Sequence, residues 1–335
     1  MMPDRTALTA DFLSRTVWGN AQRTNLAGDA SNRKYERLKD PQSGKTAVLM
    51  DAPPDSGENI RPFVRIATHL RSLGLSAPEI YAQDEVLGFL ILEDLGDDLF
   101  ARAIPSSPNL ELPLYTAATD ILISLRHTPC PDLVAYDPPL MAQQASLLFD
   151  TYLGRLTGLP QTEVSALFQA RFQDILHQTI QGPLVMMLRD YHAENLLWLP
   201  DREGLARVGL LDFQDAMLAH PAYDLVSLLQ DARRDVPAVV EQKMIAHYID
   251  QTGTDDHAFR TAYAVLGLQR NLRIIGVFAR LVVTRGKPAY SRLIPRVWAH
   301  LLRDLDHPAL APVGNMLIRT LPAPTNTNLQ KLMPI

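Results

Sequence analysis

Cysteine is almost missing from this chain. The single thiol, Cys130, lies between Pro129 and Pro131, which rules out an internal disulfide framework and suits a reducing compartment. In that setting Cys130 reads as an incidental loop thiol rather than a nucleophile. No apolar run approaches the ~20 residues of a membrane span. Residues 1–25 lack a basic start with an apolar core and a small-residue cleavage pattern, so no secretory leader is expected and the cytoplasm is the default compartment. An excess of basic charge is also missing. Lys and Arg number 32 against 37 Asp and Glu, a net charge of −5, which leaves no electrostatic footprint for nucleic acid. Internal repeats and low-complexity tracts are absent. The chain has 335 residues, 47% hydrophobic and 21% charged, an ordinary globular composition that can fill a large core and favours two lobes over one.

Hydrophobic periodicity divides the chain in two. Leu13, Val17 and Trp18 suggest an opening helix over 9–18, followed by strands over 24–28, 33–38 and 45–51. Ile60, Phe63, Val64, Ala67 and Leu70 mark one face of a helix over 59–73, ended by Gly74, and 80–82 and 89–92 read as two more strands. Beyond that the pattern is helical, over 110–127, 143–153, 163–181, 225–233, 236–251, 258–283 and 291–305. Short strands at 185–188, 196–199 and 208–211 interrupt it. Residues 306–335, rich in proline and polar side chains, read as an irregular tail or wrapping arm. The fold class is α+β, with a small antiparallel-sheet lobe over 1–94 and a mostly helical lobe over 95–335.

The chemistry concentrates in Leu188-Arg189-Asp190-Tyr191-His192-Ala193-Glu194-Asn195 and Gly209-Leu210-Leu211-Asp212-Phe213-Gln214-Asp215. Asn195 follows Asp190 by five residues and Asp212 follows it by 22. A hairpin over 196–211, turning near Pro200-Asp201 and Gly204, returns Asp212 toward Asp190 and Asn195. Phosphoryl transfer needs a carboxylate to orient the acceptor hydroxyl, plus an amide and a second carboxylate to hold Mg²⁺ on the phosphates. The pattern therefore reads as a small-molecule kinase. Asp and Asn in loops more commonly serve turns and caps, and the strand context is what favours the chemical reading.

These segments resemble the catalytic and metal-binding loops of the aminoglycoside phosphotransferase family, relatives of the protein kinases. The resemblance implies a protein-kinase-like two-lobe fold, ATP and Mg²⁺ as cofactors, Asp190 as the catalytic Asp, and Asn195 and Asp212 as metal ligands. Leu188 stands where the family has a loop-bracing His. By the same resemblance Leu26-Ala27-Gly28-Asp29-Ala30-Ser31-Asn32-Arg33-Lys34-Tyr35 falls where the phosphate loop belongs, with Gly28, Asp29, Ala30, Ser31, Asn32 and Arg33 as nucleotide contacts. An ordinary hairpin turn is the alternative. Glu93 and Leu95, in Glu93-Asp94-Leu95-Gly96-Asp97, carry over as main-chain contacts to adenine. The family's strand-three Lys is missing, and Met50 stands near its place. Arg33, Lys34, Arg37 and Lys45 are candidate replacements. Glu58 is either the partner of such a cation or a first-turn charge favoured by the helix dipole.

Other residues keep two readings. His192 is either catalytic or a structural hydrogen-bonder, with the second favoured because Mg²⁺ prefers oxygen. Asp224 either caps a helix or anchors the catalytic loop from beneath. Asp215 either faces the acceptor or occupies a turn. Arg270, Arg273 and Arg280 lie on the polar side of the 258–283 helix, as a solvated face or as acceptor contacts. Arg270 and Arg280 are the acceptor candidates.

A narrower resemblance rests on Met50-Asp51-Ala52-Pro53-Pro54, Leu211-Asp212-Phe213-Gln214-Asp215-Ala216, Tyr223-Asp224-Leu225-Val226-Ser227 and Gly276-Val277-Phe278-Ala279-Arg280. It is to the bacterial cell-wall-sugar kinases that phosphorylate the anomeric hydroxyl of N-acetylmuramate and N-acetylglucosamine in peptidoglycan recycling. The resemblance implies a small-molecule sugar and a nucleotide as partners, with neither nucleic acid nor membrane. An arginine would meet the lactyl carboxylate of N-acetylmuramate. An antibiotic-inactivating phosphotransferase and a nucleotide-binding pseudokinase scaffold are the competing functions. Choline recognition would favour an aromatic cage, which the acceptor region lacks.

Overall fold

The computed structural model describes residues 4–26 and 32–333. In chain order the strands are β1 (Gln22–Leu26), β2 (Lys34–Lys39), β3 (Thr46–Asp51), β4 (Ile80–Asp84), β5 (Phe89–Glu93), β6 (Val185–Met187), β7 (Leu196–Trp198), β8 (Val208–Leu210) and β9 (Met217–Ala219). The helices of the first part are α1 (Arg5–Ser14), α2 (Arg61–Ser72) and α3 (Phe100–Ser106). Then come α4 (Glu111–Leu125), α5 (Pro138–Ala145), α6 (Gly154–Thr157), α7 (Thr162–Thr179), α8 (Ala222–Leu229) and α9 (Ala238–Thr252). The last are α10 (Asp256–Arg285), α11 (Ile294–Leu305), α12 (Ala311–Thr320) and α13 (Asn326–Leu332).

Two compact units result, and the chain passes between them more than once. The first comprises Met1–Pro108 and Glu194–Ala216, the second Asn109–Ala193 and Met217–Ile335. The α+β class is as expected.

The first unit is built on an antiparallel sheet of order β1-β2-β3-β5-β4. Alternation sorts its side chains: Leu38, Ala47, Leu49, Phe89 and Ile91 form a core with Phe12 and Leu13 of α1 and with Trp18. Burying each of these larger side chains contributes about 1.5–3 kcal/mol. The opening helix is shifted from 9–18 to Arg5–Ser14, because Asp4 caps it and accepts the Thr6 N–H. Val17, assigned to its apolar stripe, is exposed. The hairpin β7–β8 also belongs to this unit. Leu210 N–H donates to Ser76 O at 2.9 Å, tying β8 to the chain after α2.

The second unit is helical around α10, thirty residues long and buried along most of its length. Among residues 306–333 helices replace the irregular tail that was one of the two expectations. Pro312 sits in the first turn of α12, where a missing N–H costs nothing, and Val313 and Leu317 are buried one turn apart. Thr325 caps α13 by accepting the Asn328 N–H. No helix among the described residues is long and apolar enough to cross a membrane.

Candidate active site

In the second unit, Asp190 stands in a loop that leaves β6, and β6 pairs with β9. The loop is held from below: the buried Asp224 carboxylate accepts the Leu188 N–H at 2.6 Å and the Arg189 N–H at 2.9 Å. This decides between the two readings of Asp224. α8 begins two residues earlier at Ala222, with Pro221 at its cap position, so Asp224 anchors the loop and does not cap the helix. Burial pushes the Asp224 carboxyl up to about 7, against the two N–H donors that lower it and with the Asp190 charge adding to the rise. Ser227 Oγ donates to Arg189 O at 3.3 Å, and Tyr191 Oη donates to Ala118 O at 2.8 Å. Arg189 takes φ 73°, a left-handed backbone that costs a side-chain-bearing residue about 1–3 kcal/mol and persists where surrounding contacts impose it.

His192 is buried, and burial pulls its imidazole down to about 4 despite the nearby Asp231 carboxylate. It is therefore neutral at physiological pH, and its Nε2 lies 3.3 Å from Arg233 Nη1. That geometry is structural.

The acceptor candidates on α10 occupy unlike settings. Arg270 is buried and donates to Ser227 Oγ at 2.9 Å and Gln230 O at 3.3 Å, while Arg280 is exposed. Burial lowers the Arg270 guanidinium, although Tyr223, Asp190 and Asp231 oppose it. Arg273 was grouped only with the polar face, yet it is half-buried beside Tyr223. Burial lowers its guanidinium, but Tyr223, Tyr136 and Asp190 outweigh that and raise it. The neighbouring Gln269 Nε2 donates to Tyr136 Oη at 2.7 Å, and the Tyr136 and Tyr223 rings meet edge to face with centroids 5.5 Å apart. The spacing Gln269-x-x-x-Arg273, one helical turn, was the signal in the sequence for this polar cluster.

In the first unit, the β7–β8 hairpin pairs Leu196 with Leu210 and Trp198 with Val208. Its open end continues with Leu211 N–H donating to Asn195 O at 3.0 Å. Asp212 returns to Asn195, with Asn195 Nδ2 3.5 Å from Asp212 Oδ2. Asp212 has φ 57°; with Arg189 it is the non-glycine residue in left-handed backbone among those described. Gln214 Nε2 donates to Asp212 Oδ1 at 2.8 Å, a support that no sequence motif marked. Phe213 is buried against Phe63 of α2, with ring centroids 5.0 Å apart. Asp215 is exposed.

Asn195 and Asp212 offer a carboxamide and a carboxylate, hard oxygen donors that suit Mg²⁺. Among the described residues no group of three or more His, Cys, Asp and Glu could hold a metal. A set of one acid and one amide fits an ion that takes its remaining ligands from phosphate and water.

On the nucleotide side, Gly28, Asp29, Ala30 and Ser31 lie outside the described residues. Asn32 N–H donates to Glu58 Oε1 at 3.2 Å, and Arg33 Nε donates to Glu58 Oε2 at 2.8 Å. Glu58 lies ahead of α2, which begins at Arg61, so it is an ion-pair partner and not a first-turn charge. Met50 is buried in β3, paired with Tyr35 and Leu90. Arg37 is bound to both Asp94 and Asp97, whose hydrogen bonds raise its guanidinium further. Glu93 N–H donates to Glu79 O at 2.7 Å, and the Glu93 carboxylate holds Arg202 at 2.5 Å. Leu95 is half-buried; a Cβ built on Gly209 would stand 3.1 Å from its Cδ1.

Known proteins resemble this chain over most of its length. The profile of the phosphotransferase enzyme family covers residues 22–262, and the chain belongs to that family. It is similar to the N-acetylmuramate/N-acetylglucosamine kinase of Caulobacter vibrioides, 37% identical over 96% of this chain and 98% of that protein. Its fold is that of a choline/ethanolamine kinase family protein from Mesorhizobium loti, with TM-score 0.62 and 13% identity over 98% of this chain and 99% of the other. The ADP-bound aminoglycoside phosphotransferase APH(2'')-Ib gives TM-score 0.60 at 13% identity, covering 90% of this chain and 97% of that one. The chain is thus a phosphotransferase with the kinase-like fold.

Proposed function

We propose that this chain is an ATP-dependent sugar kinase that transfers the γ-phosphate to the anomeric hydroxyl of N-acetylmuramate and N-acetylglucosamine, in the recycling of cell-wall sugars. The observation that carries the reading is the end-to-end similarity to the Caulobacter kinase of that name. The retained Asp190, Asn195 and Asp212 support it chemically, because a scaffold without turnover has no physical need of all three.

In this reading Asp190 accepts a hydrogen bond from the acceptor hydroxyl, orients it for in-line attack and takes its proton late. An anomeric hydroxyl is more acidic than an ordinary alcohol, so a carboxylate of modest basicity suffices. Asp224 fixes the backbone that carries Asp190. Asn195 and Asp212 would hold Mg²⁺, which when bound neutralises charge on the phosphates. Gln214 orients the Asp212 carboxylate. Gly28, Asp29, Ala30, Ser31, Asn32 and Arg33 contact the nucleotide phosphates, and the main chain of Glu93 and Leu95 contacts the base. Asp215, Arg270 and Arg280 belong to the acceptor side, where an arginine pairs with the lactyl carboxylate that N-acetylglucosamine lacks. The reaction is assigned to the cytoplasm, where ATP is supplied and Cys130 stays reduced.

The test is a panel of amino sugars and aminoglycosides with ATP and Mg²⁺, with the phosphorylated oxygen located by phosphorus NMR. Turnover of kanamycin in place of the amino sugars would establish the antibiotic-inactivating alternative, and ATP binding with no turnover would establish the scaffold.

A further inference from the structure

The strand position that should carry a phosphate-binding lysine holds Met50, whose side chain is completely buried. A nucleotide triphosphate brings several negative charges, and the first unit must meet them with a fixed cation. Four cations lie near enough in sequence to be weighed. Arg37 is spent on two carboxylates, Asp94 and Asp97. Lys34 adjoins Tyr35 on β2, so alternation puts it on the other face of the sheet from Tyr35 and Met50. Lys45 precedes Thr46, which pairs with Lys39, about 17 Å along the strands from the Tyr35–Met50 pair at ~3.4 Å per residue.

Arg33 differs from all three. It stands two residues before Tyr35, immediately ahead of β2, and its charge acts on the Tyr35 phenol. Its Nε is held 2.8 Å from Glu58 Oε2, and both side chains are largely shielded from solvent, at 12% and 14% exposure. Glu58 also accepts the Asn32 N–H, so one carboxylate fixes two successive residues. Burial raises the Tyr35 phenol, and the charges of Arg33 and Asp212 act on it in opposite directions.

We infer that Arg33, braced by Glu58, is the phosphate-binding cation of this protein, and that the Arg33–Glu58 pair replaces the strand-lysine and helix-glutamate pair of kinases. A guanidinium offers five N–H donors in a planar fork, so one arginine can hold a carboxylate and meet a phosphate together. Glu58 is a positioning residue in this scheme. The inference rests on the nucleotide half of the proposed function.

Calorimetric titration of ATP, ADP and adenosine, with Mg²⁺, into the full chain tests it. Arg33→Met is expected to weaken ATP and ADP at least tenfold while adenosine stays within twofold of the parent, because adenosine has no phosphate to lose. Arg33→Lys should recover part of the loss, and Glu58→Gln should weaken ATP several-fold through misplacement of the guanidinium. ATP affinity within twofold of the parent in Arg33→Met overturns the inference. So does an equal loss for adenosine, which marks a merely structural residue. A parent protein that binds ATP and phosphorylates no amino sugar would overturn the sugar-kinase reading and leave this inference standing; one that binds no ATP would overturn both.

Discussion

The Asp224 carboxylate lies 2.6 Å from the Leu188 backbone nitrogen, two residues before the proposed catalytic Asp190. Aspartate rather than asparagine is suited to that place, because both of its oxygens accept, one from Leu188 and one from Arg189. Asp224→Asn puts an NH₂ against one of these donors. The expected outcome is a kcat reduced at least tenfold with KM for ATP little changed, read by steady-state kinetics. An unaltered kcat would remove Asp224 from its role beneath the loop.

Asp212→Asn keeps a residue type that tolerates left-handed backbone at φ 57° and removes the charge proposed to hold Mg²⁺. Turnover should fall at least a hundredfold while the thermal unfolding midpoint without nucleotide stays within a few degrees. Asp212 is exposed, so its change disturbs little packing. Near-normal activity would refute the metal assignment.

Selectivity between the two sugars tests the arginines of α10. Arg270→Ala and Arg280→Ala are each compared with the parent by the ratio of KM for N-acetylmuramate to KM for N-acetylglucosamine. A charge-assisted pair with the lactyl group contributes about 1.5–3 kcal/mol, so its loss should raise the ratio roughly tenfold or more in at least one variant. The ratio is insensitive to the general loosening expected when Arg270 leaves Ser227 and Gln230. If both variants keep the parental ratio, neither arginine meets the carboxylate.

The buried Asp304 carboxyl, pushed up to about 8 by burial against the amide donors of Gln230 and Asn271, makes stability depend on pH. The folded state binds this proton more tightly than the unfolded chain, so the contribution is present at low pH and is lost as pH rises from about 4 to about 8. His192, His220 and His300, each lowered to about 4 chiefly by burial, act oppositely and cost stability as pH falls below about 6.5. Asp304→Asn leaves the histidines in place. The difference in unfolding midpoint between parent and variant should therefore shift in the variant's favour from pH 4 to pH 8. A difference that is flat with pH would show that Asp304 titrates normally.

Gly276 lets α10 approach the residues that follow α5. A Cβ there would stand 2.7 Å from Leu148 N and 3.1 Å from Leu147 Cγ, and Thr151 Oγ1 donates to Gly276 O at 2.9 Å. Backbone cannot yield as a flexible side chain does. Gly276→Ala should cost about 1–3 kcal/mol of stability, measured by chemical denaturation, despite alanine's better helix propensity.

Local pattern carried much of this structure into the sequence. The short apolar run Ala47-Val48-Leu49-Met50 and the stripe Ile60, Phe63, Val64, Ala67 and Leu70 placed β3 and α2 nearly to the residue, since burial dictates the pattern. Proline misled where it opens helices. Pro138 and Pro312 sit in first turns, so α5 began earlier than expected and α12 replaced a supposed irregular tail. At the site, Asn195 and Asp212 were legible because a short hairpin joins them. Arg33 and Glu58, 25 residues apart, were not assignable as a pair, because their meeting depends on how the sheet and α2 pack. The role of Asp224 was ambiguous for the same reason: its partners, Leu188 and Arg189, are 36 and 35 residues away.

The return of Glu194–Ala216 to the first unit has a consequence for synthesis. Ser76 is made early, but its carbonyl waits for Leu210, and the ribosome must release more than a hundred further residues before that bond can form. The amino-terminal sheet can collapse on α1 during translation, yet its unit closes only after most of the chain has emerged. An expression fragment ending near Pro108 would accordingly lack the Leu196–Leu210 hairpin, and with it Asn195 and Asp212.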